Sequence, residues 1–169
     1  MKKIFKEVLD FLIFFLIAFF VMRILFPEII GIDFTAVVSP SMEHRNIEHI
    51  KISHYQFLKE KYNYSKEFID SWPFKNGFSV GDVLFVIKTK EVNVGDVVLY
   101  KSCGNIPISH RVVNKGNDYY SIKGDNNINF LISCVNEEKI EKERIIGKVY
   151  FVLPKIGYLR VLIFYIFGI

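Results

Sequence analysis

Two apolar blocks bracket a chain whose middle alternates between apolar and polar positions. The first block, residues 8–26, has an uncharged stretch at 11–22 and carries Asp10 and Arg23. A helix crossing a bilayer needs roughly 20 apolar residues, and charges near its ends can reach back to water. The pattern predicts a transmembrane helix over residues 1–26. Lys2, Lys3 and Lys6 favour a cytoplasmic amino terminus, with the following chain extracytoplasmic. A removed secretion sequence is the competing reading, but no convincing small-residue cleavage site follows the run, and a buried or interfacial helix is the third. The second block, 156–169, is interrupted by Arg160. Its helix would reach about 21 Å, short of a hydrocarbon core near 30 Å. That leaves an interfacial helix, a partial membrane segment or a packed soluble helix, set off from the preceding strand by Pro154 and Gly157.

Between the blocks, residues 27–155 read as one β-rich domain. VGDVLFVI from Val80 and VGDVVLY from Val94 are two Gly-Asp turns feeding apolar strands. ISHRVV and YYSIK are expected to pair across the turn at 114–118. With the turn centred near Gly116, residue 110 opposes residue 122, which brings Asp125 close to His110. KVYFVL supplies a further strand. Residues 45–76 mix charge and apolar side chains without a simple repeat and read as a helical or irregular insertion.

Composition fits this division. The chain has 169 residues, is 51% hydrophobic and 24% charged, and has a formal charge of +4, which is too apolar for a disordered chain. No long basic block offers a nucleic-acid footprint. Cys103 and Cys134 are compatible with one disulfide or with two reduced thiols. His44, His49 and His54 share neither a helix face nor a strand face, so no metal site is expected. No nucleotide-binding glycine loop is present.

VVSPSMEH at 37–44, the two GDV segments, PISHRVV at 107–113 and KGDNN at 123–127 occur in an order that resembles the archaeal and endoplasmic-reticulum branch of signal peptidase I. The resemblance implies a mainly β catalytic domain with an N-terminal transmembrane helix and a candidate C-terminal membrane-associated helix. It further implies a membrane-bound serine protease that removes signal peptides, sited at the cell membrane or with a lumenal catalytic domain in an internal membrane. Ser41 then becomes the nucleophile and His110 its general base. Ser39 joins the Ser41 amide in oxyanion stabilisation, Met42 packs beside the substrate, and Asp125 orients His110 or organises its own turn. No cofactor is implied. The implied partners are signal-peptide-bearing precursors and membrane lipid, with translocation machinery as a further candidate.

Two positions depart from the resemblance. Many relatives carry a second aspartate six residues after the one matched by Asp125; here that position is Leu131, which cannot stabilise an imidazolium. The site is then a triad completed by Asp125, a triad with a shifted acid, or a dyad. His44 stands where proline is common. A noncatalytic, membrane-anchored β-rich module that binds peptides is the alternative these departures favour.

Overall fold

The computed structural model of the protein describes residues 2–21, 31–158, 161–162 and 166. The chain divides into two compact units, Met1–Asp33 and Phe34–Ile169. In the first unit, helix α1 covers Lys2–Phe20. The transmembrane reading of residues 1–26 is corrected here, because no helix among the described residues is long and apolar enough to cross a membrane. Lys6, Glu7 and Asp10 occupy its first half, and its uncharged remainder, 11–20, rises only roughly 15 Å. The cell-membrane location and topology inferred from that helix lose their support with it. Residues 22–26, and most of the tail at 159–169, lie outside the described residues, and no described part of the tail forms a crossing helix.

The second unit is built on a seven-stranded sheet. Its strands are β1 (Ile32–Ala36, which enters this unit at Phe34), β2 (Val83–Lys88), β3 (Val97–Lys101), β4 (Pro107–Lys115), β5 (Tyr119–Lys123), β6 (Ile140–Glu141) and β7 (Ile145–Leu153), in the order β1-β2-β7-β3-β4-β5-β6. Every pairing from β2 to β6 is antiparallel. Period-two alternation gives each central strand two different faces. Val98, Tyr100, Val112 and Ile122 join one buried cluster, while Val97 and Leu99 join a second with Val37, Met42 and Leu84.

The two Gly-Asp turns are the same device used twice. Gly81 and Gly95 take φ of 91° and 95°, a region that favours glycine. A Cβ on Gly95 would lie 2.6 Å from the Trp72 ring. The aspartate after each glycine accepts the backbone N–H three residues earlier, Asp82 from Ser79 at 2.8 Å and Asp96 from Asn93 at 2.9 Å. Each turn then grips one valine through both of its backbone groups. Gly81 N–H donates to the Val37 carbonyl while Asp82 accepts from Val37 N–H, and Gly95 and Asp96 treat Val112 in the same way. Val37 leads into Ser39 and Ser41, and Val112 follows His110. The repeated turn thus fixes both motif segments to the sheet.

The β4–β5 register differs from the expected one. Arg111 faces Lys123 and Val112 faces Ile122, with a bulge before Asn114. The pairing is displaced by two residues because the hairpin closes at Gly116 N–H to the Tyr119 carbonyl, centring the turn after Gly116. Asp125 lies beyond the end of β5, and its carboxylate meets Arg111 rather than His110.

Residues between the bridged pair Glu43 and Gly77 form a cap of short helices. These are α2 (Ile47–Ile50), a π-helical stretch (Lys51–Gln56), α3 (Phe57–Tyr62) and α4 (Lys66–Asp70). Its apolar side buries Leu58, Ile69 and Trp72 against Val113. The π-helical stretch buries both Ser53 and His54. Ser53 donates to the Asp125 carbonyl at 2.9 Å, and Lys123 donates back to the Ser53 carbonyl at 2.6 Å. Arg111 and Asp125, both at most 1% exposed, sit under the cap. All three guanidinium nitrogens are engaged: Nε and Nη2 hold the Asp125 carboxylate, and Nη1 and Nη2 reach the carbonyls of Pro73, Gly95 and Phe74. His44 Nε2 lies 3.0 Å from Asp125 Oδ2, and His54 Nδ1 lies 3.4 Å from Oδ1. Burial would raise the Asp125 pKa, but Arg111 and the histidines hold it well below the usual carboxylate range. Cys103 and Cys134, left open by sequence, are bonded, with Cα atoms 5.7 Å apart.

Two predictions follow from the cap. Asp125→Asn strands the Arg111 cation in a buried site and should lower unfolding free energy by about 3–5 kcal/mol, read by urea denaturation. Burial, reinforced by Arg111, His44 and Lys123 against the opposing pull of Asp125, lowers the His54 pKa to about 4. Below the ordinary value near 6.5 the unfolded chain takes up a proton that the folded chain refuses. Stability therefore falls as pH drops through the window from about 6.5 to about 4, by on the order of 3 kcal/mol. Thermal melts across that window should show the decline in the wild type, and a shallower one in His54→Asn.

Candidate functional site

Ser41 lies in the turn after β1, and His110 lies in the middle of β4, paired with Val98. The two meet with His110 Nε2 2.9 Å from Ser41 Oγ. On the ring's other side, His110 Nδ1 lies 2.5 Å from Glu137 Oε1. Glu137 is 1% exposed. Its Oε1 also accepts the Tyr100 hydroxyl at 2.7 Å, and its Oε2 accepts the Leu131 amide at 2.8 Å. Burial by itself would raise the Glu137 pKa. The contacts from His110, Tyr100 and the Leu131 amide outweigh it and hold the group below its ordinary value. Burial, with the Glu137 charge beside it, pushes the Tyr100 pKa up, so that hydroxyl remains a donor. An ionised carboxylate only accepts, which assigns the ring proton to Nδ1 and turns the Nε2 lone pair toward Ser41.

Ser39 Oγ lies 3.1 Å from Ser41 Oγ on the exposed side of the turn. Met42 is 1% exposed and accepts the Asp125 amide at its Sδ, 3.4 Å away. A cleft of about 70 Å³ opens beside Ser41, lined by residues that include Val37, Ser39, Met42, Leu99 and Ile108. Its size admits a small side chain. The GDNN loop supports the serine through its backbone. Asn126 N–H donates to the Ser41 carbonyl at 2.8 Å, and its side-chain amide donates to the Pro40 carbonyl at 3.0 Å. His49 Nε2 in turn bonds the Asn126 carbonyl at 2.8 Å.

Of the residues singled out from sequence, Ser39, Ser41, Met42 and His110 come together. Asp125 lies on the other face of β4, where its carboxylate meets Arg111, His44 and His54, while Glu137 occupies the place beside His110. Sequence reasoning missed Glu137 and its supporting donor Tyr100. Nothing local in Asn136-Glu137-Glu138-Lys139 marks one acid as buried, and Ile122 N–H to the Glu137 carbonyl at 2.8 Å is among the tertiary contacts that hold Glu137 inward. Leu131, where an acid was expected, contributes its amide to that acid instead. Among the described residues no cluster of His, Cys, Asp and Glu is arranged to hold a metal ion.

No family model matches the chain. It is similar to the signal peptidase complex catalytic subunit SEC11 of Scheffersomyces stipitis, 39% identical over 95 residues, which cover 51% of this chain and 57% of that protein. The SEC11 subunit of Clavispora lusitaniae is 36% identical over 95 residues, covering 51% of this chain and 57% of that one. That of Komagataella phaffii is 37% identical over 100 residues, covering 51% and 58%. The chain thus matches little more than half the length of these curated relatives. Over about half of its length the chain is homologous to the catalytic subunits of the signal peptidase complex.

Proposed function

We propose that the protein is a serine endopeptidase that cleaves signal peptides from precursor proteins, with Ser41 as nucleophile, His110 as general base and Glu137 as the acid that orients the imidazole. The supporting observation is the unbroken relay Ser41 Oγ to His110 Nε2, then His110 Nδ1 to Glu137 Oε1. His110 takes the Ser41 proton as Oγ attacks the scissile carbonyl, and Glu137 stabilises the resulting imidazolium without accepting its proton. The oxyanion that forms lies within reach of the Ser39 hydroxyl and the Ser41 amide. His110 then protonates the departing amine, and water attacks the acyl-Ser41 ester by the same base catalysis. The small cleft beside Ser41 selects small side chains next to the scissile bond.

Asp125 acts through the fold. By holding Arg111 and the cap it steadies the loop whose Asn126 grips the Ser41 carbonyl. Purified protein given a signal-peptide precursor should cleave it. Ser41→Ala and His110→Ala should each lose at least about 10³-fold in kcat, and Glu137→Gln about 10²- to 10⁴-fold with little change in melting temperature. Cleavage that persists in Ser41→Ala would refute the mechanism. Unaltered kcat in Glu137→Gln would remove Glu137 from it.

A further inference from the structure

The acid beside His110 is carried on a very small hairpin whose tip is covalently tied down. Leu131 and Glu137 form its base, joined twice, by Glu137 N–H to the Leu131 carbonyl and by Leu131 N–H to Glu137 Oε2. Ile132 and Asn136 bridge above them, Ser133 N–H donates to the Val135 carbonyl, and Cys134 stands at the tip. Cys134 is bonded to Cys103, just beyond the end of β3. That strand carries Tyr100, the other donor to Glu137. The disulfide therefore closes a loop through the two segments that hold the carboxylate. Val135 is the tip's buried apolar anchor, and the neighbouring Leu131 and Ile132 are exposed. A hairpin this short is marginal without such a tether.

We propose that the Cys103–Cys134 bond is a redox control on the site: oxidised, it holds Glu137 against His110, and reduced, it lets the 131–137 hairpin move and the relay slacken. The proposal rests on the proteolytic reading above. Cys134 is exposed and Cys103 is partly exposed, so a soluble dithiol can reach the bond. One thiolate of the dithiol attacks Cys134 Sγ, forming a mixed disulfide and expelling the Cys103 thiolate. The Ser133 hydroxyl, 3.3 Å from Cys103 Sγ, is placed to donate to that leaving group. The reductant's second thiolate then displaces Cys134. Two electrons and two protons pass to the protein, which ends with two thiols, and the reductant leaves as a cyclic disulfide.

The test compares full-length oxidised protein with the same protein reduced by dithiothreitol, following precursor cleavage and hydrogen exchange at the Leu131 amide. Reduction should lower kcat/KM about 10- to 100-fold, recover on reoxidation, and speed Leu131 exchange while the Val112 amide in β4 stays protected. The Cys103→Ser/Cys134→Ser variant should sit at the reduced level and ignore the reductant. Glu137→Gln should lose little further rate on reduction. Unchanged cleavage and unchanged Leu131 exchange on reduction would overturn the proposal, as would a full reductive loss of rate in Glu137→Gln. Oxidised protein that cleaves nothing, yet whose Leu131 exchange responds to reduction, would refute the proteolytic reading and uphold the mechanical coupling.

Discussion

The buried pair between Arg111 and Asp125 is the contact from which the second unit's arrangement follows. Taking a guanidinium and a carboxylate out of water costs several kcal/mol per ion, and the cost is recovered only when every donor finds a partner. Here Arg111 joins four separate pieces of chain: the cap at Pro73 and Phe74, the turn at Gly95, strand β4, and the loop at Asp125. Asp125 adds two cap histidines. The pair does not contribute to the relay, yet it determines where the relay's parts sit, because the residue before Arg111 is His110 and the residue after Asp125 is Asn126.

Strand alternation then separates two kinds of chemistry by one residue. His110 points to the face that holds Tyr100, Ser41 and Glu137, and Arg111 points to the face that holds the cap. A histidine that works as a base must be free to exchange protons at one nitrogen while fixed at the other. A structural arginine must be fixed at every nitrogen. Adjacent positions on one strand provide both environments, and the Gly95-Asp96 grip on Val112 keeps their facing from slipping by a residue.

This division explains which parts of the site could be read from sequence. Ser39, Ser41, Met42 and His110 stand in short ordered motifs, and it was the family resemblance carried by those motifs, rather than any local period, that singled them out. Asp125 belonged to a recognisable motif, but it lies past the end of β5, where strand pairing no longer fixes its facing, and Arg111 and His44 hold its carboxylate away from His110. Glu137 was invisible because its inward orientation comes from pairing with Ile122 and from a hairpin tied to β3 by a disulfide, neither of which leaves a local period. Its neighbour Glu138 has the same side chain and an exposed ion pair with Lys61. The β-rich core was legible from the GDV strands. The first apolar block misled because a run of apolar residues was extended across charges that divide it.

The central claim is that Ser41 is activated through His110 and Glu137 on one face of β4, with Asp125 acting from the other. A serine-reactive fluorophosphonate tests this without reference to any substrate. Mass mapping of the labelled peptide should find the adduct on Ser41, with a labelling rate that collapses in His110→Ala and Glu137→Gln. Labelling at another serine, or a Ser41 rate indifferent to Glu137, would contradict the account.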